Sequence, residues 1–130
     1  MDLILDTCGL LSLSGLARKK LSKQTLSIIQ NATTVYVSAC SLFEISLKVK
    51  RERLNLFDFD SPESYWLACN ERYQLKELPV DAKDFDQSVQ LPDHHADPFD
   101  RIIIAQSVGL ACPVVTYDSV FEQYGVQTLN

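Results

Sequence analysis

The hydrophobic pattern of the chain alternates between short apolar runs and longer stretches with apolar residues at helical spacing. The short runs predict buried strands over residues 3–5, 33–37 and 113–116, and weaker runs predict two more over 78–80 and 126–129. The longer stretches predict helices over residues 7–16, 22–32, 41–53, 61–73, 81–90 and 97–108. Strands that alternate with helices form parallel sheets covered on both faces. We therefore expect an α/β fold, a three-layer α/β/α sandwich around a central, mostly parallel sheet.

Length and composition are those of a single globular domain, which we assign to residues 1–130. The four cysteines are widely spaced and lack a CxxC pair, which favours free thiols in a reducing cytoplasm over disulfides or a zinc site. The N-terminus lacks the basic start and apolar run of a signal peptide, and no apolar run approaches the length of a membrane span. We expect a cytoplasmic protein without a membrane partner.

The charge pattern leaves a nucleic-acid partner open, although the net charge is −5. Eight of the twelve basic residues fall in two runs: Arg18, Lys19, Lys20 and Lys23, then Lys48, Lys50, Arg51 and Arg53. One interpretation is a solvated helix face and a helix C-terminus that favours cations; the other is two patches that hold a phosphate backbone. The sum of charges does not decide between them, because an acidic active site would itself lower it.

Four acidic residues fall where the predicted fold brings chain segments to one edge of the sheet. Asp6 and Asp118 follow predicted strands. Glu44 comes shortly after the second strand, and Asp100 lies in the first turn of a predicted helix. Ligands of parallel sheets bind beyond the carboxyl ends of the strands. Carboxylates gathered there repel one another and lose hydration, so proteins usually gather them around a cation. The pattern therefore predicts a metal-dependent enzyme.

Each acid also has a structural alternative. Asp6 and Asp118 are typical N-caps of the helical segments that follow them. Ser41 and Glu44 have the spacing of a capping box. The stretch Asp-Pro-Phe-Asp over residues 97–100 matches an N-cap, a proline at the first helical position and a helpful third-position carboxylate. We expect the first of these, Asp97, to be chiefly a cap. The joint occurrence of the acids at one edge favours a shared site.

Polar residues near these acids are candidates for contact with a substrate. The predicted contacts are two hydroxyls and three cations: Thr7, Thr116, Arg101, Lys48 and Arg51. The hydroxyls can also hydrogen-bond a carboxylate or a bound water. We expect His94 and His95 to be surface-loop residues, with a role as a base or in positioning the substrate as the alternative.

Four segments of the chain resemble a known family: the opening LDTCGLL, the helix with Phe43-Glu44-Ile45, the block HADPFDRIIIAQS and the ending VVTYDSVFEQYGV. In order and rough spacing they resemble PIN-domain ribonucleases, in particular the VapC-type toxins of bacterial toxin–antitoxin pairs. The resemblance matches the family's four acids, in order, to Asp6, Glu44, Asp100 and Asp118. The family often has Arg before its last Asp, whereas this chain has Tyr117, so a cation near the substrate is missing from the pattern.

The resemblance implies a PIN-like fold and an endoribonuclease that hydrolyses RNA phosphodiester bonds as the toxin of a toxin–antitoxin pair. A cognate antitoxin and a homodimer are implied as partners. Hard oxygen ligands suit Mg²⁺, with Mn²⁺ as a substitute. We expect Asp6 and Asp100 to be the principal ligands, Glu44 and Asp118 to complete or orient the metal shell, and Asp97 to be a further candidate ligand.

Two other functions match parts of the pattern. A non-catalytic PIN-like binding module would keep the fold without the activity. A phosphoacceptor receiver domain is also α/β, acidic and Mg²⁺-binding, but it needs paired acids after the first strand and a late lysine. Here Thr7 follows Asp6, and no lysine occurs after Lys83, so the receiver is disfavoured.

Overall fold

The fold is built on five short strands, and the structure, a computed structural model, describes residues 1–130. The strands are β1 (Asp2–Leu5), β2 (Thr34–Ser38), β3 (Leu75–Leu78), β4 (Val114–Val115) and β5 (Thr128–Leu129). The helices are α1 (Thr7–Leu13), α2 (Lys23–Asn31), α3 (Ala39–Lys50), α4 (Pro62–Arg72), α5 (Ala82–Gln90) and α6 (Pro98–Leu110). A 3₁₀ helix over Ser119–Tyr124 lies between β4 and β5. No helix combines the length and the apolar character that a membrane span requires.

The sheet is parallel throughout, in the order β3-β2-β1-β4-β5, which confirms the predicted α/β fold. The chain builds outward from β1 to β2 and β3, then returns to the other side of β1 for β4 and β5. The direction of winding therefore changes between β1 and β4. Such a change opens a crevice at the carboxyl ends of the two strands, where ligands of α/β proteins bind. Asp6 directly follows β1, and Asp118 comes three residues after Val115, the last residue of β4.

Alternate residues of the central strand pack on opposite faces of the sheet. Leu3 and Leu5 belong to the larger of two buried clusters, to which α1, α2 and α4 contribute, with Trp66 among its members. Ile4 belongs to the smaller cluster on the other face, which α6 covers with residues such as Ile103. α5 packs on α6. Two apolar cores separated by one sheet are the arrangement expected of a three-layer sandwich.

Two helix ends differ from the predicted ones. α1 ends at Leu13, and Gly15, at φ +85°, makes the left-handed turn that follows. The predicted stop of α6 at Gly109 is wrong, because this glycine lies inside the helix. The N–H groups of Ala111 and Cys112 bond back into the last turn of α6, and Ala111 adopts the left-handed conformation instead.

Three other elements differ in position. α3 begins at Ala39 with Ser38 as its N-cap, two residues before the predicted start. The third strand ends at Leu78 instead of beginning there. The residue that follows it is Pro79, which has no N–H to continue a strand ladder. The 3₁₀ helix was not predicted, because it is too short to show helical periodicity.

Candidate active site

Asp6 is the most deeply buried acid of the chain, with 4% of its surface exposed. It is the N-cap of α1, and its Oδ1 accepts a 2.6 Å hydrogen bond from the Gly9 N–H. Glycine is needed here, because a Cβ at position 9 would lie 2.6 Å from the carbonyl oxygen of Val115. The close approach of α1 to β4 therefore places the Asp6 carboxylate in the crevice between β1 and β4. The N-cap role that we predicted as an alternative for Asp6 is confirmed, and the carboxylate that caps α1 also lies in the site.

Glu44 reaches the crevice from α3. The Thr7 hydroxyl donates to Glu44 Oε1 at 2.7 Å and lies 2.9 Å from Ser41 Oγ. Lys48, one turn further along α3, holds Glu44 Oε2 through an ion pair of 3.0 Å. Ser41 is fully buried inside the helix, whose N-cap is Ser38. The alternative of a capping box is therefore wrong, and the Glu44 carboxylate is oriented by α1 and by its own helix.

Asp100 lies in the first turn of α6, as predicted. Asp97 is the N-cap of this helix, and its Oδ1 accepts hydrogen bonds from the N–H groups of Phe99 at 2.8 Å and Asp100 at 3.1 Å. Pro98 occupies the first helical position, where a missing N–H is harmless. Asp97 thus fixes the start of α6 and, with it, the position of Asp100.

Asp118 and Asp100 are joined by His95. Asp118 caps the 3₁₀ helix, with Oδ1 accepting from the Val120 N–H at 2.9 Å. Its Oδ2 lies 2.7 Å from His95 Nε2, and the same nitrogen lies 3.1 Å from Asp100 Oδ2. The side chain of His95 is 13% exposed. The expected surface-loop position is therefore wrong for His95, whereas His94 is exposed as expected.

The loop before α6 fixes the ring of His95. Nδ1 accepts a 3.1 Å hydrogen bond from the Asp97 N–H. A neutral ring with this acceptor carries its proton on Nε2, so Nε2 donates to the carboxylates and offers no lone pair to a metal. The backbone N–H of His95 donates to the Tyr124 hydroxyl at 2.8 Å, which donates in turn to the carbonyl of Pro92. The geometry thus makes His95 a positioning residue for two carboxylates.

The pKa of Asp6 reflects its burial and the charges of other acids. Burial is the main cause that raises the pKa of Asp6 from 3.8 to about 6. Hydrogen bonds from Thr116 and Gly9 lower this pKa, and the charges of Glu44 and Asp118 raise it further. Acids from three distant parts of the chain therefore act on one another.

Asp100 shows the same effect more strongly. Burial is again the first cause and raises the pKa of Asp100 to about 7. The negative charge of Asp97 raises the pKa of Asp100 further, and those of Asp6 and Glu44 do so less strongly. The neighbouring His95 lowers this pKa. The structure thus brings all four predicted acids together and leaves their negative charge poorly compensated.

This donor set matches a divalent cation with hard oxygen ligands. Glu44 has the ion pair with Lys48, whereas Asp6 has no ion pair at all. A cation among the carboxylates would offset the repulsion and the burial that raise the pKa of Asp6 and Asp100. Carboxylate oxygens are the ligands that Mg²⁺ and Mn²⁺ prefer.

Arg101, one of the predicted substrate contacts, uses its guanidinium inside the protein. It donates to the backbone carbonyls of Leu91 and His95 at 2.8 Å, of Ser88 at 3.0 Å and of Pro92 at 3.1 Å. Its side chain is 12% exposed. These bonds hold the loop between α5 and α6 that carries the histidine. The geometry therefore favours a role for Arg101 in building the site over one in contacting a substrate.

Of the other predicted substrate contacts, Thr7 and Lys48 contact Glu44, and Thr116 hydrogen-bonds Asp6. Thr116 is buried, and its hydroxyl oxygen accepts a hydrogen bond from the backbone N–H of Asp118. Lys48 is half-exposed within its ion pair, and Arg51 is exposed at the end of α3. A further cation approaches from the first basic run, since Lys19 Nζ lies 5.0 Å from the centre of the Tyr117 ring. Lys19 thus brings positive charge to the position where the family often has Arg.

The sequence named two further residues without placing them at this site. His95 lies two residues before Asp97, with a positioning role as an alternative, but the sequence does not show that its ring contacts Asp100 and Asp118. Lys19 belongs to the first basic run, but only the folded chain brings residues 19 and 117 together.

Comparison with known proteins agrees with the fold. A chain of the FitAcB crystal structure from Neisseria gonorrhoeae is similar, with a TM-score of 0.65, 19% identity, and 100% of this chain and 97% of that one covered. A chain of FitAB bound to an IR36 DNA fragment gives a TM-score of 0.63 at 19% identity, covering 100% and 94%. A chain of VapBC2 from Rickettsia felis, bound to a DNA fragment from their promoter, gives 0.67 at 14% identity, covering 100% and 98%.

Sequence comparison identifies the family directly. No curated protein gives a significant match. The family model described as PIN domain, however, matches residues 3–127. This match covers nearly the whole chain and confirms the resemblance inferred from its motifs. The chain belongs to the PIN domain family.

Proposed function

We propose that this PIN domain protein is a metal-dependent endoribonuclease that hydrolyses phosphodiester bonds in RNA. One observation carries the proposal: four carboxylates from distant parts of the chain share one crevice, at the carboxyl ends of β1 and β4. Two of them have a raised pKa because burial and neighbouring charges disfavour their ionised forms. Such clusters of perturbed acids are typical of catalytic sites.

Mg²⁺ is the cation that we propose, with Mn²⁺ as a substitute. Asp6 and Asp100 would be its principal ligands, and Glu44 and Asp118 would complete or orient the shell. Asp97 would not bind the cation itself; it would position Asp100 by capping the start of α6. When bound, the cation activates water for attack on the phosphodiester and offsets the charge that builds up on the phosphate.

Polar neighbours hold the carboxylates ready for binding. His95 Nε2 donates toward Asp100 and Asp118, and the Thr7 hydroxyl donates to Glu44. These contacts reduce the freedom of the carboxylates before a cation or a substrate arrives. Less entropy is then lost on binding, and the reacting groups start closer to their productive geometry.

RNA is the proposed substrate, and cations beside the acids would hold its phosphates. Lys48 and Arg51 lie one and two turns beyond Glu44 on α3. Lys19 lies over Tyr117, the residue before Asp118. Both basic runs thus have members near the acids, which favours phosphate binding as their role. The sequence pattern left this role open. The net charge does not oppose it, because the local distribution of charge decides the contact.

The family and its similar structures support a role as the toxin of a toxin–antitoxin pair. FitAB and VapBC2 were each solved bound to a DNA fragment, which for VapBC2 comes from their promoter. For this chain we propose a cognate antitoxin that blocks the crevice, a homodimer and a cytoplasmic location. Three large apolar side chains are exposed and could take part in such contacts: Phe57, Leu67 and Val89.

Cleavage of a labelled RNA pool by the purified, antitoxin-free chain tests the proposal. We expect cleavage with Mg²⁺ or Mn²⁺ and none with EDTA. Asp6→Asn, which keeps the size of the side chain but removes its charge, should abolish cleavage and leave the circular-dichroism spectrum unchanged. Asp58→Asn is the matched control, because Asp58 is exposed in the loop before α4, and it should cleave like the wild type.

The outcomes separate the alternatives. Cleavage by a folded Asp6→Asn variant would contradict the assignment of the site. A wild-type chain that binds Mn²⁺ without cutting the pool would have a narrower substrate choice than the pool offers. A chain that neither cuts RNA nor binds Mn²⁺ would be the non-catalytic binding module.

A further inference from the structure

Two phenylalanines border the carboxylate cluster. Phe43 directly precedes Glu44 on α3, and Phe99 directly precedes Asp100 on α6. Their rings pack edge to face, with centroids 5.4 Å apart and an interplanar angle of 85°. Phe43 is 60% exposed, whereas Phe99 is partly buried against the smaller apolar core. We call these two residues the aromatic pair.

Packing within the protein does not account for the exposed ring of Phe43. A side chain that serves the core is usually buried, and exposed phenylalanine surface is unfavourable in water. The contact with Phe99 holds the Phe43 ring between α3 and α6, the helices that carry Glu44 and Asp100, so part of its rotational freedom is already lost in the free protein. A ring that is exposed and held in place is well prepared to stack on a planar ligand.

We infer that the aromatic pair receives a nucleobase of the RNA strand whose phosphodiester lies at the carboxylates. The inference rests on the proposed function. Single-stranded RNA is commonly bound by stacking its bases on aromatic side chains while cations hold the backbone. Because Phe43 and Phe99 adjoin Glu44 and Asp100 in sequence, a base on the pair would be next to the phosphodiester at the crevice.

Charge and size favour RNA over a protein as the occupant. Lys50 lies two turns beyond Phe43 on the same side of α3, about 10 Å along the helix axis, and is exposed. Arg51 follows it and is also exposed. The exposed side of α3 therefore offers an aromatic ring for a planar base and cations for the phosphates of the same RNA strand. Two rings provide far less than the roughly 800 Å² per partner of a stable protein interface.

Cleavage kinetics with modified RNA test the inference. Cleavage sites of the wild type are first mapped on the RNA pool, and a short RNA around one site is then made with a single abasic nucleotide at each nearby position. We expect Phe43→Ala to raise KM about 10-fold with little change in kcat, because stacking contributes to binding. Phe43→Trp keeps a stacking surface and should restore KM. Phe85→Ala is the control, since Phe85 is 53% exposed on α5 between two aspartates, and it should behave like the wild type.

The abasic substrates decide whether the base itself is the ligand. At one position, removal of the base should raise the wild-type KM as much as Phe43→Ala does, and the two changes together should have no larger effect than either alone. An unchanged KM for folded Phe43→Ala would overturn the inference, as would a loss that is equally large at every abasic position. Unchanged kinetics with weakened self-association in sedimentation would identify the pair as a protein contact. A wild type that cuts no RNA at all would instead refute the proposed function, and the inference with it.

Discussion

The negative charges of Asp6 and Asp100 destabilise the metal-free fold. Burial first, and neighbouring acids next, raise the pKa of Asp6 to about 6 and that of Asp100 to about 7. A carboxyl group with a raised pKa binds its proton more tightly in the folded chain than in the unfolded one. At neutral pH the ionised groups therefore oppose folding unless a cation is bound.

The stability of the metal-free protein should reflect these two groups. The pKa of an unfolded aspartate is about 3.9, so between about pH 4 and 7 the folded chain binds more protons and its free energy of unfolding falls as the pH rises. Asp100→Asn lacks one titrating group. We expect it to be more stable than the wild type at pH 8 and to lose this advantage as the pH falls below 7. Urea unfolding in EDTA between pH 5 and 8 measures the difference. Asp58→Asn should follow the wild type, and an advantage that does not vary with pH would contradict the account.

His95 should affect catalysis without being a metal ligand. Its Nε2 donates toward the carboxylates of Asp100 and Asp118, while its Nδ1 is occupied by a backbone N–H. We expect His95→Ala to lower kcat by about 10- to 100-fold, in the range found for residues that orient metal ligands. His95→Gln retains a donor and should lose less. Steady-state cleavage at saturating Mg²⁺ gives the values.

The neighbouring histidine provides the control for this substitution. His94 is exposed, and the hydrogen bond of its backbone N–H to the Tyr124 hydroxyl survives a change of side chain. His94→Ala should therefore cleave like the wild type. A His95→Ala enzyme with wild-type kcat, or a His94→Ala enzyme equally impaired, would remove the positioning role.

At the scale of elements, the contact between α1 and β4 decides where Asp6 lies. A Cβ at Gly9 would lie 2.6 Å from the Val115 carbonyl oxygen, a backbone atom that cannot move aside freely. We expect Gly9→Ala to destabilise the protein by about 1–3 kcal/mol, as overpacking does, and to impair cleavage by displacing the Asp6 cap. Gly109→Ala is matched to it, because Gly109 lies in α6 with no atom within 4 Å of its Cβ position. That variant should be neutral or stabilised by up to about 1 kcal/mol. Equal stabilities of the two variants in urea would contradict the close contact.

The loop between α5 and α6 depends on one side chain. Arg101 donates to several carbonyls of this loop, including that of His95. Lysine keeps the charge but cannot reproduce the planar fork, so Arg101→Lys should leave carbonyls unpaired and destabilise the protein by about 1–3 kcal/mol. Arg53→Lys, at an exposed position, should be neutral. If Arg101 contacted the substrate instead, the lysine variant would keep wild-type stability and show only a raised KM.

Most of the elements could be read from the sequence, but their exact ends and the 3₁₀ helix could not. The short apolar run around Ile4 and the helical spacing in residues 97–108 identify a buried strand and a helix directly. The end of α6 could not be read in this way, because Ala111 adopts the conformation that sequence statistics assign to Gly109. The start of α3 was missed for a related reason, since Ser38 and Ser41 are both acceptable caps and tertiary packing buries the second one.

At the scale of the whole molecule, the topology of the sheet predicts where the acids lie, but it does not predict the side-chain contacts of the loops around them. Parallel strands place their carboxyl ends at one edge, so the sequence alone predicts that Asp6 and Asp118 lie together. His95 could not, because the direction of a loop side chain follows from contacts such as the Tyr124 and Arg101 bonds, which no periodicity encodes. The same holds for Lys19, because the aromatic ring that it contacts belongs to Tyr117, far away in the sequence.

The central claim is that these carboxylates form one site for a divalent cation. Calorimetric titration of the metal-free protein with Mn²⁺ at pH 7, repeated in buffers of different ionisation enthalpy, tests it most directly. We predict saturable binding with release of protons, because Asp100 has a pKa of about 7 and must ionise to act as a ligand. Binding should be lost in folded Asp6→Asn and kept in Asp58→Asn. A wild type that binds no Mn²⁺, or an Asp6→Asn variant that binds it equally well, would contradict the account.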